Sequence, residues 1–94
     1  MIILQVEHRV LNFDEWKKAF DSDPINRKKS GVRRYSIYRP IDDPKYVVID
    51  LEFDNLKEAE NTLTALRNLW GKLEGTVIMY PQTRIFDRVE TTEV

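Results

Sequence analysis

Residues 45–53 carry the clearest apolar pattern of the chain, because a large apolar residue occupies each odd position from 47 to 53. Alternation with a period of two predicts a β-strand that turns one face toward a hydrophobic core. The other face carries Asp50 and Glu52 in the middle of the strand. In a central strand such carboxylates need cationic partners on adjacent strands. We expect the rest of the sheet to be arranged around this strand.

A strand and a helix are predicted at the start of the chain. Residues 2–10 alternate between apolar and polar side chains, which predicts a half-buried strand. Asn12 is a good N-cap residue, and Glu15 stands at the third helical position, as in a variant of the capping box. The apolar residues that follow at helical spacing are Phe13, Trp16, Ala19 and Phe20. This helix should end near Asp21.

The next segment predicts a short helical turn and a second strand. Asp23 followed by Pro24 indicates an N-cap and a first-turn proline, and Gly31 indicates a helix end. Residues 32–39 have the pattern of a strand. Residues 40–44 contain two prolines, so they should form a hairpin loop rather than pair in the sheet.

A longer helix should begin at Asp54 and Asn55 and be closed by Gly71 and Gly75. Acidic residues near its start suit the positive end of the helix dipole. Its buried stripe is predicted to contain Leu56, Ala59, Leu63, Leu66, Trp70 and Leu73.

The last strand is interrupted by a proline. Residues 76–80 are extended in pattern, Pro81 interrupts them, and residues 83–89 resume the pattern. The strand is therefore either bulged or leaves its own sheet at Pro81. In the second case, the segment after the proline would run onto the sheet edge of a second copy of the chain.

The element order β-α-β-β-α-β predicts an α+β fold of the ferredoxin-like type, with an antiparallel sheet and both helices on one face. A chain of 94 residues with this order is expected to form a single domain, residues 1–94. The second face of the sheet stays uncovered. By strand parity and the expected strand order 4-1-3-2, the charged residues on that face are Glu7, Arg9, Arg34, Asp50 and Glu52.

These five residues are either a network at a dimer interface or an exposed, salt-bridged sheet face. We expect two faces to pair about a twofold axis, because the face also carries apolar residues that a small domain needs to bury. Asp50 and Glu52 would then lie within reach of Arg9 and Arg34 from one or both chains. The expected partner is a second copy of this chain.

The charge balance argues against a polyanionic partner. Fifteen basic and sixteen acidic residues are interspersed and give a net charge of −1, so neither nucleic acid nor an anionic membrane is an expected partner. The one basic run, residues 27–34, is interpreted as a solvated loop and strand edge. The N-terminus turns polar at Gln5, too early for a signal peptide, so a cytoplasmic location is expected.

No cofactor is predicted from the residue types. One histidine and no cysteine leave only carboxylates as metal ligands, and no phosphate-binding loop is present. We therefore expect no metal, haem or flavin. The adjacent acids Asp42 and Asp43 are interpreted as turn residues rather than as a catalytic pair.

His8 is the candidate catalytic residue, because it is the side chain whose ordinary pKa lies nearest neutrality. As a general base it could deprotonate a phenolic or enolic substrate. The alternative is a core histidine bonded to a backbone carbonyl. Tyr35 or a helix residue is a candidate partner for it. Trp70, Tyr35 and Trp16 are candidates for a ligand pocket, although core packing also explains both tryptophans.

The chain also resembles a known superfamily. The residues that carry the resemblance are 6–10, Phe13, Trp16, Phe20, 23–24, 31–32, 39–40, 42–44 and 52–53. With the element order, they resemble uncharacterised small proteins of the dimeric α/β-barrel superfamily, which contains the antibiotic-biosynthesis monooxygenase (ABM) domains. The resemblance implies a homodimeric barrel with the helices outside and a substrate pocket between each sheet and its helices.

The activity implied by the resemblance is a cofactor-independent monooxygenase acting on an aromatic or polyketide-like substrate. Other members imply a cyclase, an isomerase, or a non-catalytic ligand-binding or stress-response dimer. The haem-degrading members use an asparagine on the first strand, a tryptophan on a helix and a histidine on a helix. Trp70 can stand for that tryptophan, but the first strand carries Glu7 and His8 and the second helix has no histidine. Haem degradation is therefore not expected.

Overall fold

The computed structural model describes residues 1–73 and 78–94. Its elements in chain order are β1 (Ile2–Val10), α1 (Phe13–Asp21), α2 (Arg27–Ser30), β2 (Arg34–Tyr38), β3 (Tyr46–Phe53), α3 (Leu56–Leu73) and β4 (Ile78–Asp87). The predictions made for Gly75, for a strand start at residue 76 and for the side chain of Leu73 lie outside the described residues.

The strands form one antiparallel sheet in the order β2-β3-β1-β4, as expected from the sequence. β3 lies between β2 and β1, so the strand with the clearest alternation is central. In its register with β1, Leu4 stands opposite Leu51 and Gln5 stands opposite Asp50. Because side chains alternate, this register gives each face of the sheet its own set of residues.

The core lies on the face that the helices cover. Fully buried side chains there include Leu4, Val47 and Phe53, with Ala59 from α3 packed among them. Burying one such large apolar side chain stabilises the fold by about 1.5–3 kcal/mol. The α+β ferredoxin-like fold predicted from the element order is confirmed. No helix among the described residues is long and apolar enough to cross a membrane.

Helix α1 begins where its cap predicts. The Oδ1 atom of Asn12 accepts a hydrogen bond from the backbone N–H of Glu15 at 3.0 Å. The predicted N-cap at Asp23 is wrong, because Asn26 caps α2 in a left-handed conformation (φ 52°). Asp23 instead accepts from the backbone N–H of Arg27 at 2.8 Å, which ties the preceding turn to α2. Gly31 ends α2, as predicted, at φ 102°.

Two predictions for α3 are wrong. The helix passes through Gly71 and continues to Leu73, because one glycine inside a helix costs only about 1 kcal/mol relative to alanine. Leu56 is 49% exposed and is not part of the buried stripe. The N-terminal signal is confirmed, since the side chain of Asn55 accepts from the N–H of Glu58 at 2.9 Å.

β4 keeps to its own sheet despite Pro81. The register of β1 with β4 shifts between Glu7 and Arg9, and Tyr80 just before the proline has φ 56°. This irregularity is a β-bulge, which is one of the two alternatives predicted for the strand at Pro81. Beyond it, Thr83 pairs with Val6 of the same chain. The expected departure onto a partner's sheet edge is therefore wrong, because β1 offers an edge within the chain and a bulge accommodates a residue without an N–H.

Gly31 and Gly71 provide a matched test of these backbone assignments. Gly31→Ala should lower the free energy of unfolding by about 1–2 kcal/mol, because φ 102° disfavours any residue with a Cβ. The added Cβ would also overlap the carboxylate of Glu58. Gly71→Ala should raise the free energy of unfolding by about 1 kcal/mol, because open space surrounds that helical position. Urea unfolding followed by tryptophan fluorescence measures both, and equal effects would contradict the assignment.

Candidate functional site

An apolar cavity of about 90 Å³ lies between the helix-covered face of the sheet and the helices. Its floor is formed by sheet residues, and its walls come from α1, the turn after α1, and α3. The described residues that line it are Val6, His8, Trp16, Ala19, Phe20, Pro24, Ile25, Arg27, Ile49, Leu66, Leu69, Trp70 and Ile78. His8 and Arg27 are the ionisable residues of this set.

His8 is oriented by the backbone of its own strand. It is 2% exposed, and its Nδ1 lies 3.1 Å from the carbonyl oxygen of Arg9. A carbonyl oxygen only accepts, so Nδ1 carries the proton. In the neutral imidazole Nε2 is then the unprotonated nitrogen with a lone pair, and none of the described residues hydrogen-bonds to it. The candidate partnership of His8 with Tyr35 or a helix residue is wrong, since Nδ1 donates to the Arg9 carbonyl instead. This is the bond expected in the alternative of a core histidine.

Burial sets the protonation state of His8. The apolar surroundings lower the pKa of the imidazole below its ordinary value of 6.5, and the hydrogen bond to the Arg9 carbonyl opposes this only in part. The ring is therefore neutral at pH 7 and can act as a base. The edge of the ring also meets Trp16, with centroids 5.8 Å apart and planes at 65°.

Trp16 and Trp70 are both buried and both line the cavity. Trp16 belongs to a row of aromatic rings on α1, with Phe13 at 5.7 Å and Phe20 at 5.3 Å between centroids. Trp70 lies one turn before the end of α3. The structure thus brings together three of the four residues singled out in the sequence, while their roles in ligand binding stay predictions.

Tyr35 does not line the cavity. It is 41% exposed on β2, where its ring packs against the edge of Phe20 at 5.0 Å. Arg27, which sequence reasoning missed, lies beside both rings. The sequence gives no signal that separates Arg27 from Lys28 and Lys29, yet its side chain is only 15% exposed and reaches the cavity.

The opposite face of the sheet carries the predicted charged set, and each member has a defined partner. Glu7 accepts from the hydroxyl of Tyr46 at 2.9 Å, and Asp50 accepts from Gln5 at 3.0 Å. The expected pairing of Arg9 with Asp50 or Glu52 is wrong within the chain. Arg9 instead binds Asp43, at 2.9 Å, in the loop between β2 and β3.

Asp43 in the loop and Glu52 on the open face are the two acids that accept hydrogen bonds from the arginines of this set. Asp43 also accepts from the N–H of Lys45 at 3.1 Å, so its interpretation as a turn residue is confirmed. Glu52 is 4% exposed and accepts from Arg34 and from Arg88, each at 3.1 Å. The guanidinium of Arg34, and then that of Arg88, lowers the pKa of Glu52 despite its burial, so the carboxylate stays ionised at neutral pH.

No model of a known protein family matches the chain, and no curated protein sequence matches it. Solved protein structures do match the fold of this chain. A variant of SnoaB, a cofactor-independent oxygenase from Streptomyces nogalater, superposes with a TM-score of 0.75 at 13% identity, over 96% of this chain and 94% of that one. A variant of MhuD with two manganese protoporphyrin IX molecules per active site superposes with a TM-score of 0.71 at 15% sequence identity, over the full length of both chains.

A dimeric ferredoxin-like protein from an uncultured marine organism gives a TM-score of 0.66 at 16% identity, over 97% of both chains. Identities this low show the fold alone. The class defined by the fold is therefore ferredoxin-like. Its structural neighbours include dimeric ferredoxin-like proteins and proteins described as antibiotic-biosynthesis monooxygenases, as the sequence resemblance predicted.

The protonation state of His8 predicts a pH dependence of stability. In the unfolded chain the imidazole titrates near its ordinary pKa of 6.5, whereas in the folded protein its pKa is lower. Lowering the pH from about 7.5 to about 5.5 then protonates the unfolded chain first, so the free energy of unfolding should fall. Urea titrations across this range measure the effect.

His8→Asn is the control for that titration. The amide of asparagine can still donate to the Arg9 carbonyl but does not titrate. Because the chain has one histidine, the slope of stability against pH in this range should flatten in the variant. An equal slope in the variant and the parent would contradict the assignment of a buried neutral His8.

Proposed function

We propose that the cavity binds a small aromatic ligand and that His8 acts there as the general base of a cofactor-independent monooxygenase. The observation that carries this proposal is the orientation of His8. Its Nδ1 donates to a carbonyl, its Nε2 retains a lone pair, and the ring lines an apolar cavity together with Trp16 and Trp70. The structural likeness to SnoaB, described as a cofactor-independent oxygenase, supports the same chemistry.

The proposed reaction uses dioxygen as the only co-substrate. Nε2 removes a proton from an activated CH₂ of a phenolic or enolic substrate, and the resulting carbanion donates electrons to O₂. A C–O bond forms, the imidazolium returns the proton to the peroxide, and loss of water leaves a carbonyl. The balance is CH₂ + O₂ → C=O + H₂O. Trp16, Trp70 and their apolar neighbours would hold the flat ring and exclude water.

The open face of the sheet is proposed to pair with a second copy of the chain. Ile3 and Val48 lie half-buried on this face, and Tyr38 and Phe86 are exposed on it. Leaving that apolar surface in water forfeits burial that a small domain needs. The dimeric state described for a ferredoxin-like neighbour supports a second copy as the occupant. In this dimer Glu7, Arg9, Arg34, Asp50 and Glu52 would lie at or near the interface.

A non-catalytic ligand-binding dimer is the second candidate, and the cavity size favours it. A volume of about 90 Å³ is below the roughly 150 Å³ of an apolar cavity that holds benzene. A bound ring would therefore extend out of the cavity toward solvent, which suits binding better than a reaction that must exclude water. A hydrogen bond from Nδ1 to a carbonyl is also what a purely structural histidine makes. A cyclase or isomerase would use the same base without dioxygen.

Oxygen uptake separates these functions. With anthrone as the activatable substrate, the protein should consume one O₂ for each quinone formed, and His8→Asn should lower the rate by about 10²–10⁴-fold, as loss of a general base does. An oxygen electrode and the quinone absorbance measure both quantities. His8→Asn must keep its thermal midpoint for the comparison to hold. Anthrone that binds without oxygen uptake would favour the binding protein, and equal rates would remove His8 from the mechanism.

The dimer proposal has its own matched pair of variants. Val48 stands opposite Glu7 on β1 and Tyr38 on β2, near the middle of the open face. Val48→Lys should weaken self-association by at least about 100-fold, because burying the ammonium group in the interface costs more in desolvation than its attraction to Glu7 returns. Thr64→Lys adds the same charge on an exposed position of α3 and should leave association unchanged.

Sedimentation equilibrium measures the dimer dissociation constant of both variants and of the parent chain. A parent chain that is monomeric at micromolar concentration would overturn the proposal. So would a Val48→Lys variant that associates as tightly as Thr64→Lys.

A further inference from the structure

Arg27 lies at the junction of two depressions in the molecule. It lines the apolar cavity that contains His8, and it also lines an open groove of about 600 Å³ on the surface. The groove contains Asp23, Lys28, Arg33, Arg34 and Tyr35 beside it. Arg27 is the residue shared by the two sets, so its side chain stands between the interior and solvent.

The guanidinium of Arg27 is held in place by aromatic rings and a carbonyl. Its Cζ lies 4.0 Å from the ring centre of Phe20 and 5.0 Å from that of Tyr35. Its Nη1 donates to the carbonyl of Phe20 at 2.7 Å and lies 3.5 Å from Oδ1 of Asp23. None of the described residues accepts from Nε or Nη2. One edge of the guanidinium is therefore preorganised but unused.

The backbone conformation of residues 23–26 positions Arg27 between the cavity and the groove. Asp23 and Asn26 both adopt left-handed conformations, with φ 57° and 52°. Asparagine and aspartate tolerate this region better than other residues with a Cβ. The hydroxyl of Ser30 donates to the carbonyl of Ile25 at 2.8 Å and closes the segment. The turn is thus locally fixed, which limits the motion of the side chain that follows it.

The charges around the groove favour an anion. Four cations line it against one carboxylate, Asp23. Arg33 is paired with Asp54 at 2.7 Å and Arg34 with Glu52, so these two are largely neutralised. Lys28 has no partner among the described residues. The remaining positive charge is therefore that of Arg27, offset in part by Asp23, and that of Lys28.

We propose that Arg27 is a specificity-determining residue that binds the carboxylate of a small aromatic ligand while the aromatic ring enters the cavity. A guanidinium edge with two N–H donors matches a carboxylate in bidentate geometry. The apolar walls and His8 would receive the uncharged part. This inference rests on the proposed function of the cavity and adds the chemical class of its ligand, an aromatic monocarboxylate.

Two isosteric probes with a single ring test the inference, benzoate and its neutral amide, benzamide. Isothermal titration of the parent chain should show tighter binding of the acid. Arg27→Gln should weaken binding of benzoate by about tenfold or more, the effect of one charged hydrogen-bonding group. Its affinity for benzamide should stay within about twofold, because the apolar walls of the cavity are unchanged.

Lys28→Gln is the matched control, since it removes the same charge from the same groove at an exposed position that does not line the cavity. Both affinities should stay within about threefold, the effect of a screened surface charge. Arg27→Lys is the second variant if glutamine destabilises the fold. It keeps the cation but not the planar fork, so benzoate should still bind more weakly than in the parent.

Each other outcome overturns a distinct part of the proposal. If Arg27→Gln weakens both probes equally, Arg27 is a wall of the cavity and not an anion site. If the parent binds acid and amide equally, the cavity binds ligands but the carboxylate class is wrong. If neither probe binds the parent chain, both this inference and the proposed function fail. If Lys28→Gln weakens binding of the acid as much as Arg27→Gln does, the preference for the acid comes from the overall positive charge of the groove and not from Arg27.

Discussion

The alternation of side chains along β1 and β3 is the constraint on which the rest of the molecule depends. The antiparallel register places Leu4, Val6 and His8 on the helix-covered face. A shift of one residue would exchange the two faces and put Glu7 into the core. The apolar residues of the covered face hold this register, and His8 is carried into the interior with them. Its burial is thus a consequence of sheet geometry, and its neutral state is a consequence of burial.

The same alternation places a buried charge on the open face. The Glu52 carboxylate lies on the interior strand β3, where the residue is only 4% exposed. A buried carboxylate without partners would cost several kcal/mol. Arg34 from β2 and Arg88 after β4 reach it from different parts of the chain, although Arg34 itself is largely exposed. The N–H of Arg88 donates to the carbonyl of Met1 at 3.0 Å, which extends the pairing of β1 with β4 and holds Arg88 near Glu52.

Local pattern accounts for most of the fold and for less of the site. A period of two identified β1 and β3 and the faces of their residues, and the cap at Asn12 identified the start of α1, because these features depend on neighbours in sequence. The partners of Arg9 and Glu52 were not predictable in full. Asp43 and Arg88 meet them through contacts 34 and 36 residues away along the chain.

Local signals also failed where tertiary packing outweighed them. Pro81 and Gly71 both indicate a break, yet β4 and α3 continue through them. Pairing with β1 in one case and packing of the helix on the sheet in the other outweigh penalties of this size. Arg27 shows the converse failure. Its sequence neighbourhood is that of a solvated basic run, and only the packing of Phe20 and Tyr35 removes it from water.

The two ionisable residues of the cavity have different surroundings. Burial favours the neutral ring of His8, since the surrounding side chains are apolar and the ring donates its one hydrogen bond to a carbonyl. The guanidinium of Arg27 is weakly hydrated, and the faces of two aromatic rings replace part of its water. Polarity therefore increases from the sheet floor toward the groove. A ligand bound as proposed would follow this gradient, with its apolar part against His8 and its charged part outward at Arg27.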